Sequence, residues 1–316
     1  MKYIESLREG ERINEIYLCK VKQSALTKAG KPYDTLILQD KTGTLDAKIW
    51  EPGSVGIDEF DSLDYIAVMG DITSFQGNLQ LNVKRVRKVQ EGEYDPKDYL
   101  PVSDKDIDQM YEELKGLIAS IKEVHLKKLL ESFFVEDADF EKRFKFHSAA
   151  KTVHHGFVGG LLEHSLSVAK HCDYFAGCYP ILNRDLLITA AIFHDIGKLE
   201  ELSTFPENDY TDAGQLLGHI IIGTEMVGDR IRTIPDFPKG LASELKHCIL
   251  AHHGELEFGS PKKPALPEAL ALSFADNIDA KMETVREIFN NVPENNQEWQ
   301  GYNRLLESNI RRSGKL

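Results

Sequence analysis

Side chains able to hold a metal ion recur from residue 164 to residue 276 of this 316-residue chain, each in an apolar, helix-like setting. The central pair is His194-Asp195, entered from the apolar run LLITAAIF and continuing as HDIGK. Burying an imidazole beside a carboxylate costs on the order of several kcal/mol unless something satisfies both. A divalent cation does so. His164 lies upstream in GGLLEHSL, His219 downstream in QLLGHIII, His252-His253 in ILAHHGE and Asp276 in ALSFADNIDA. Together these are more donors than one ion needs. The competing reading, a set of satisfied core histidines, explains each residue singly but not their recurrence.

Three further residues join the list. Lys198 closes the run H-D-I-G-K, where its ammonium can neutralise a substrate phosphate or simply complement a helix C-terminus. His154 and His155 precede the first ligand in KTVHHGFVGG, a glycine-flanked turn that can present an imidazole to a substrate or hold it in a structural role.

The ordered set H…HD…D, carried by His164, His194-Asp195 and Asp276, resembles the HD superfamily of metal-dependent phosphohydrolases. The resemblance implies an all-α domain in which ligands converge from separate helices. His219, His252 and His253 fall where binuclear members carry extra histidines. By that analogy His164, His194, Asp195 and Asp276 hold one ion, and Asp195, His219, His252 and His253 the other. Neighbouring helical residues point about 100° apart, so His194 and Asp195 reach one site only where it straddles a helix end. That suits Asp195 as a bridge. Imidazole mixed with carboxylate favours Mn, with Co or Fe as alternatives, over the all-oxygen sites of Ca and Mg. Two such ions activate water and clamp phosphoryl oxygens, so the expected chemistry is phosphoester hydrolysis with Asp195 and Lys198 as catalytic groups.

The elements that must position these residues divide the chain in three. Residues 10 to 90 read as five short strands, with a rich β run at Tyr33-Gln39 and a turn at Asp40-Gly43 leading to TLDAKIW. Five strands in this length suit an OB-fold barrel, and the DxTG turn with its xLxAxIW strand resembles OB domains of the tRNA-anticodon type. Such a barrel binds single strands on aromatic platforms beside a basic groove. The candidates are Tyr33, Lys48, Trp50, Phe75 and Lys84. For the aromatics the alternative is core packing, and for the lysines a solvated surface. EGEYDPKDYLP then reads as a linker, Ser103 as a helix start with Asp106 as its capping acid, and later stripes as amphipathic helices. Helices continue almost without break beyond His147, interrupted by Leu202-Gln215, which reads as a hairpin or lid. The expected class is α+β multidomain: an OB-fold barrel over 1–92, a helical connector over 93–146 and an all-α HD domain over 147–316.

Composition agrees with a soluble globular protein. No apolar run approaches 18 residues and MKYIESLREGER lacks a signal-peptide core, so a cytoplasmic protein without membrane contact is expected. The four cysteines form no CxxC pair, which points to reduced thiols. Net charge is −13, yet residues 1–90 carry 13 basic and 13 acidic side chains, so the whole excess lies in 91–316. Within the neutral part, Asn78-Val89 carries Lys84, Arg85, Arg87 and Lys88 with no acid. This is a phosphate-steering strand or a solvated edge strand protected by charge.

The whole arrangement, including HHGFVGGLLEHSLSVA and HDIGKLEEL, looks like the YhaM-type 3′-to-5′ exoribonucleases of Gram-positive bacteria. That resemblance implies removal of nucleoside monophosphates from single-stranded RNA, with some action on single-stranded DNA; a homo-oligomer stays open. Two other functions remain open at this point: an HD phosphohydrolase of free or cyclic nucleotides with an accessory OB domain, and a non-enzymatic single-strand-binding factor.

Overall fold

The computed structural model describes residues 1–151, 155–290 and 292–314. The chain forms two compact units, Met1–Val102 and Ser103–Leu316. In the first, β1 (Arg12–Leu26), β2 (Pro32–Asp40), β3 (Gly43–Ile49), β4 (Tyr65–Phe75) and β5 (Asn78–Lys88) close into a barrel in the order β1-β2-β3-β5-β4. Neighbours are antiparallel except β3 and β5. The alternation seen in the sequence places Leu45, Ala47 and Ile49 of β3 inward, against Tyr17, Leu36, Leu38, Val68 and Leu81. The long β1 pairs with both β4 and β2, aided by an irregularity between Cys19 and Val21. Buried Asp40 is satisfied in its turn by Thr42 and by the Ile4 amide. This is the five-stranded OB barrel.

The strand β5 pairs with β4 along its length but with β3 only at Gln80–Asn82, so its basic stretch from Lys84 has one strand neighbour and meets the 56–58 loop at Val86 on the other side. Its charges are largely spent locally: Lys84 pairs with Asp71, Arg87 with Glu93 at 2.8 Å and Lys88 with Asp64 at 2.7 Å.

The second unit is helical: α1 (Ile107–Ala119), α2 (Val124–Phe134), α3 (Ala138–Phe146), α4 (Gly160–Cys178), α5 (Arg184–Phe193), α6 (Lys198–Glu201), α7 (Asp212–Thr233), α8 (Lys239–Leu250) and α9 (Pro267–Asn290). A small hairpin of β6 (Tyr302–Asn303) and β7 (Ser308–Asn309) follows. Helix α1 starts later than Ser103. Asp106 is its cap, accepting from the Gln109 amide, while Ser103 donates to buried Glu163. The buried carboxylate captures the serine that the sequence pattern offers as a cap.

Helices α1 to α3 share one core with α4 and α5. Phe134 meets Phe140 and Phe144 edge-on, with ring centroids 5.1 and 5.0 Å apart, and Phe133 meets Phe193 at 5.3 Å. This aromatic group packs on one side of α5, which also meets α4, α8 and α9 and in which every residue from Leu186 to Phe193 is buried. After Leu202 the chain makes a bridge to Tyr210, then enters α7, capped by Thr211. The expected hairpin is thus confined to the first part of Leu202-Gln215. Among the described residues no helix is long and apolar enough to cross a membrane.

Candidate metal centre

The buried helix α5 ends by delivering His194 and Asp195 into the middle of the unit, where both are almost wholly excluded from solvent. Around them gather His164 from α4, His219 from α7, His252 and His253 just beyond α8, and Asp276 from α9. Close packing is needed to bring α7 this near. A Cβ on Gly197 would lie 2.0 Å from the His219 carbonyl oxygen, so only glycine fits. Within α7, Gly218 takes φ 74° and breaks the helix, which restarts at His219.

Each of the five histidines has its Nδ1 engaged on the side away from the centre. His194 Nδ1 donates to the Ala191 carbonyl at 2.7 Å, His252 to Ile249 at 2.6 Å and His253 to Phe258 at 2.8 Å. His164 Nδ1 donates to Asp279 at 2.7 Å and His219 Nδ1 to Glu201 at 2.9 Å. A neutral imidazole that donates from Nδ1 keeps its lone pair on Nε2. All five rings therefore turn Nε2 toward the centre, where a neutral ring offers its lone pair.

Asp195 divides them. Its Oδ2 lies 3.3 Å from His164 Nε2 and 3.4 Å from His194 Nε2, while its Oδ1 lies 3.4 Å from His219 Nε2 and 3.7 Å from His252 Nε2. Asp276 joins the first group, its Oδ1 3.2 Å from His164 Nε2. His164 and His194 bring Nε2 to within 3.1 Å of each other. Two facing lone pairs repel unless a cation or proton lies between them. Buried Asp195 Oδ1, His219 Nε2 and His252 Nε2 have no hydrogen-bond partner. Orphaned acceptors this numerous and this close fit a metal, and the residues group into His164–His194–Asp276, His194–Asp195–His252 and His219–His252–His253 sets.

The electrostatics point the same way. Burial lowers the pKa of His194 and His253, and takes that of His252 well below the ordinary value with help from His253 and His194. These rings are neutral near pH 7. Burial would also lower His164, but the carboxylates of Asp195, Asp276 and Asp279 outweigh it and raise the value well above normal. Without a metal, a proton takes the cation's place there. Burial opposes ionisation of Asp195 too, yet the Lys198 ammonium and His194 hold its pKa well below the usual carboxylate range. Neutral imidazoles and anionic carboxylates are the donor set of a divalent transition metal.

Lys198 reaches Asp195 Oδ2 at 2.7 Å and also lines a cavity of about 510 Å³ beside the centre. His155, His164, His253, Asp276, Asn277 and Lys281 are among its other walls. His155 is buried and spends Nε2 on Asp279 at 3.0 Å, so the ring is tied to the ligand scaffold. His154 lies outside the described residues. Asp279 and Glu201, which hold His164 and His219, were missed by the sequence reading. The available signal was weak: Asp279 falls one helical turn after Asp276, and Glu201 one turn after Lys198.

On the barrel, Tyr33 stacks on Trp50 with ring centroids 5.5 Å apart at 28°, and Lys48 Nζ lies 5.3 Å over Tyr33 while donating to Thr35. Trp50, half exposed, donates to Asn82, which donates in turn to Thr73. Strands β2, β3, β5 and β4 thus present one aromatic-polar face. Phe75, two residues beyond Thr73 on β4, is exposed near the β4–β5 turn. Lys84 is held by Asp71 and does not join the Tyr33–Trp50 group.

Residues 161–281 match the HD domain family. A 3′-5′ exoribonuclease YhaM from Geobacillus sp. (strain WCH70) is 34% identical over 281 residues, covering 87% of this chain and 84% of that protein. The chain belongs to the YhaM family of 3′-5′ exoribonucleases. Its namesake in Bacillus subtilis (strain 168) is 35% identical over 275 residues, covering 86% of each chain. Among solved structures, the second OB-fold domain of replication protein A from Methanococcus maripaludis aligns with 29% of this chain and 98% of its own, at 19% identity and a TM-score of 0.22. Family membership rests on the matches that span both units.

Proposed function

We propose that this exoribonuclease removes nucleoside 5′-monophosphates one at a time from the 3′ end of single-stranded RNA, and acts on single-stranded DNA too, at a binuclear centre bridged by Asp195. The observation that carries the reading is the division of histidines between the two Asp195 oxygens. His164, His194, Asp195 and Asp276 would hold one ion, and Asp195, His219, His252 and His253 the other. The donor chemistry favours Mn, then Co or Fe. Bound there, the ions would lower the pKa of a water and neutralise charge on the phosphoryl oxygens.

The chain's own groups do the rest. Water attacks the terminal phosphorus and the 3′-oxygen of the preceding nucleotide leaves, which yields a 5′-phosphorylated mononucleotide. Burial opposes the Lys198 charge, but Asp195 holds its pKa above normal, so the ammonium persists at the cavity wall to meet a phosphate. The Tyr33–Trp50 stack with Lys48 is the proposed platform for the single strand, with Phe75 extending it and Lys84 adding charge once released from Asp71.

One parallel incubation tests the assignment. Metal-stripped protein, with and without added Mn, is given end-labelled single-stranded RNA, free nucleotides or cyclic dinucleotides. Mn-dependent shortening of RNA, with the small nucleotides untouched, is expected. Turnover of the small nucleotides alone would favour a nucleotide phosphohydrolase, and RNA retention without turnover would favour a binding factor.

A further inference from the structure

We propose that Asp279 and Glu201 are the positioning residues of the two halves of the centre, each fixing one histidine ligand so that its Nε2 faces the metal and donates more strongly. The proposal rests on the binuclear reading above. Three of the five histidines are anchored by backbone carbonyls, which carry no net charge. Only His164 and His219 are anchored by carboxylates, and they face opposite oxygens of Asp195. There is thus one carboxylate-anchored imidazole in each half. An ionised partner on Nδ1–H locks the tautomer, restrains the ring and raises the basicity of Nε2 beyond what a carbonyl achieves.

Both carboxylates are themselves held. Asp279 Oδ2 accepts from His155 and His164, and Oδ1 accepts from Ser167 on α4. Both oxygens of Asp279 are thus engaged as hydrogen-bond acceptors. His155 therefore serves as a brace: it holds the group that holds His164. Glu201 Oε1 accepts from both the backbone amide and Nδ1 of His219, at 2.9 Å each. One oxygen thus fixes the ring and the point at which α7 resumes after Gly218. Neither carboxylate lines the cavity. Their influence on substrate must pass through the metal ligands.

The test is a calorimetric titration of Mn into metal-stripped full-length protein, using the near-isosteric variants Asp279→Asn and Glu201→Gln. Wild type should take two ions. Each variant should weaken one binding event by roughly 10- to 100-fold and leave the other close to wild type. Turnover on saturating RNA should recover as Mn is raised, which a purely structural defect would not allow. Wild-type Mn affinity at both sites in folded variants overturns the proposal. If Asp279→Asn fails to fold by circular dichroism, Glu201→Gln, in the four-residue helix α6, decides alone. If wild type itself takes fewer than two ions, the binuclear reading fails instead, and the two failures are distinguishable.

Discussion

Asp195 is the residue on which the proposed chemistry converges, because its two oxygens face different histidines within 3.3–3.7 Å. Asp195→Ala should abolish RNA hydrolysis and lower metal content below one ion per chain, while far-ultraviolet circular dichroism stays helical. Metal analysis by mass spectrometry with an RNA assay checks this, and near-normal activity would contradict the bridge. The metal-capable residues were legible in the sequence because imidazoles and carboxylates are conspicuous within apolar helical runs. Their anchors were not. Asp279 sits in α9, where an acid reads as a solvated face, and only the folded chain shows it touching His164 from 115 residues away. Glu201 is concealed in the same manner, by a partner 18 residues on.

At the scale of elements, the barrel strands were legible from their period-two alternation, and Trp50 faces outward opposite Ile49 as that alternation requires. The start of α1 was not, since Ser103 turns to Glu163, a residue remote in sequence. Nor was the reach of α7. Gly218 interrupts it with helix on both sides, and just after the break His219 Nε2 lies 3.4 Å from Asp195 Oδ1. The barrel has its own core, distinct from the helical one, so the helical unit should fold without it. A chain beginning at Ser103 should still cleave short or activated phosphodiesters. It should bind long single strands more weakly, since each lost stacking contact is worth about 1–3 kcal/mol, and this would read chiefly as a rise in KM. Filter binding and steady-state kinetics measure both quantities. Unchanged affinity for long RNA would make the barrel a structural or protein-contact module.

For the whole molecule, the acidic total is less informative than its distribution, because the excess lies entirely in residues 91–316 and the barrel is balanced. The proposed strand binding should then depend on local stacking and a few cations rather than on a global field. A centre set among the helices, beside a cavity of about 510 Å³, should admit one unpaired end at a time. A base-paired end must first be unpaired, and the sequence holds no nucleotide-triphosphate motif to supply that energy. The most direct measurement follows an RNA with a single-stranded 3′ tail behind a stable hairpin, labelled at either end, beside a circular RNA, in Mn. The 3′ label should appear first as a 5′-mononucleotide, shortening should stall just before the hairpin, and the circle should survive. Rapid cutting of the circle, or release of the 5′ label first, would contradict the account.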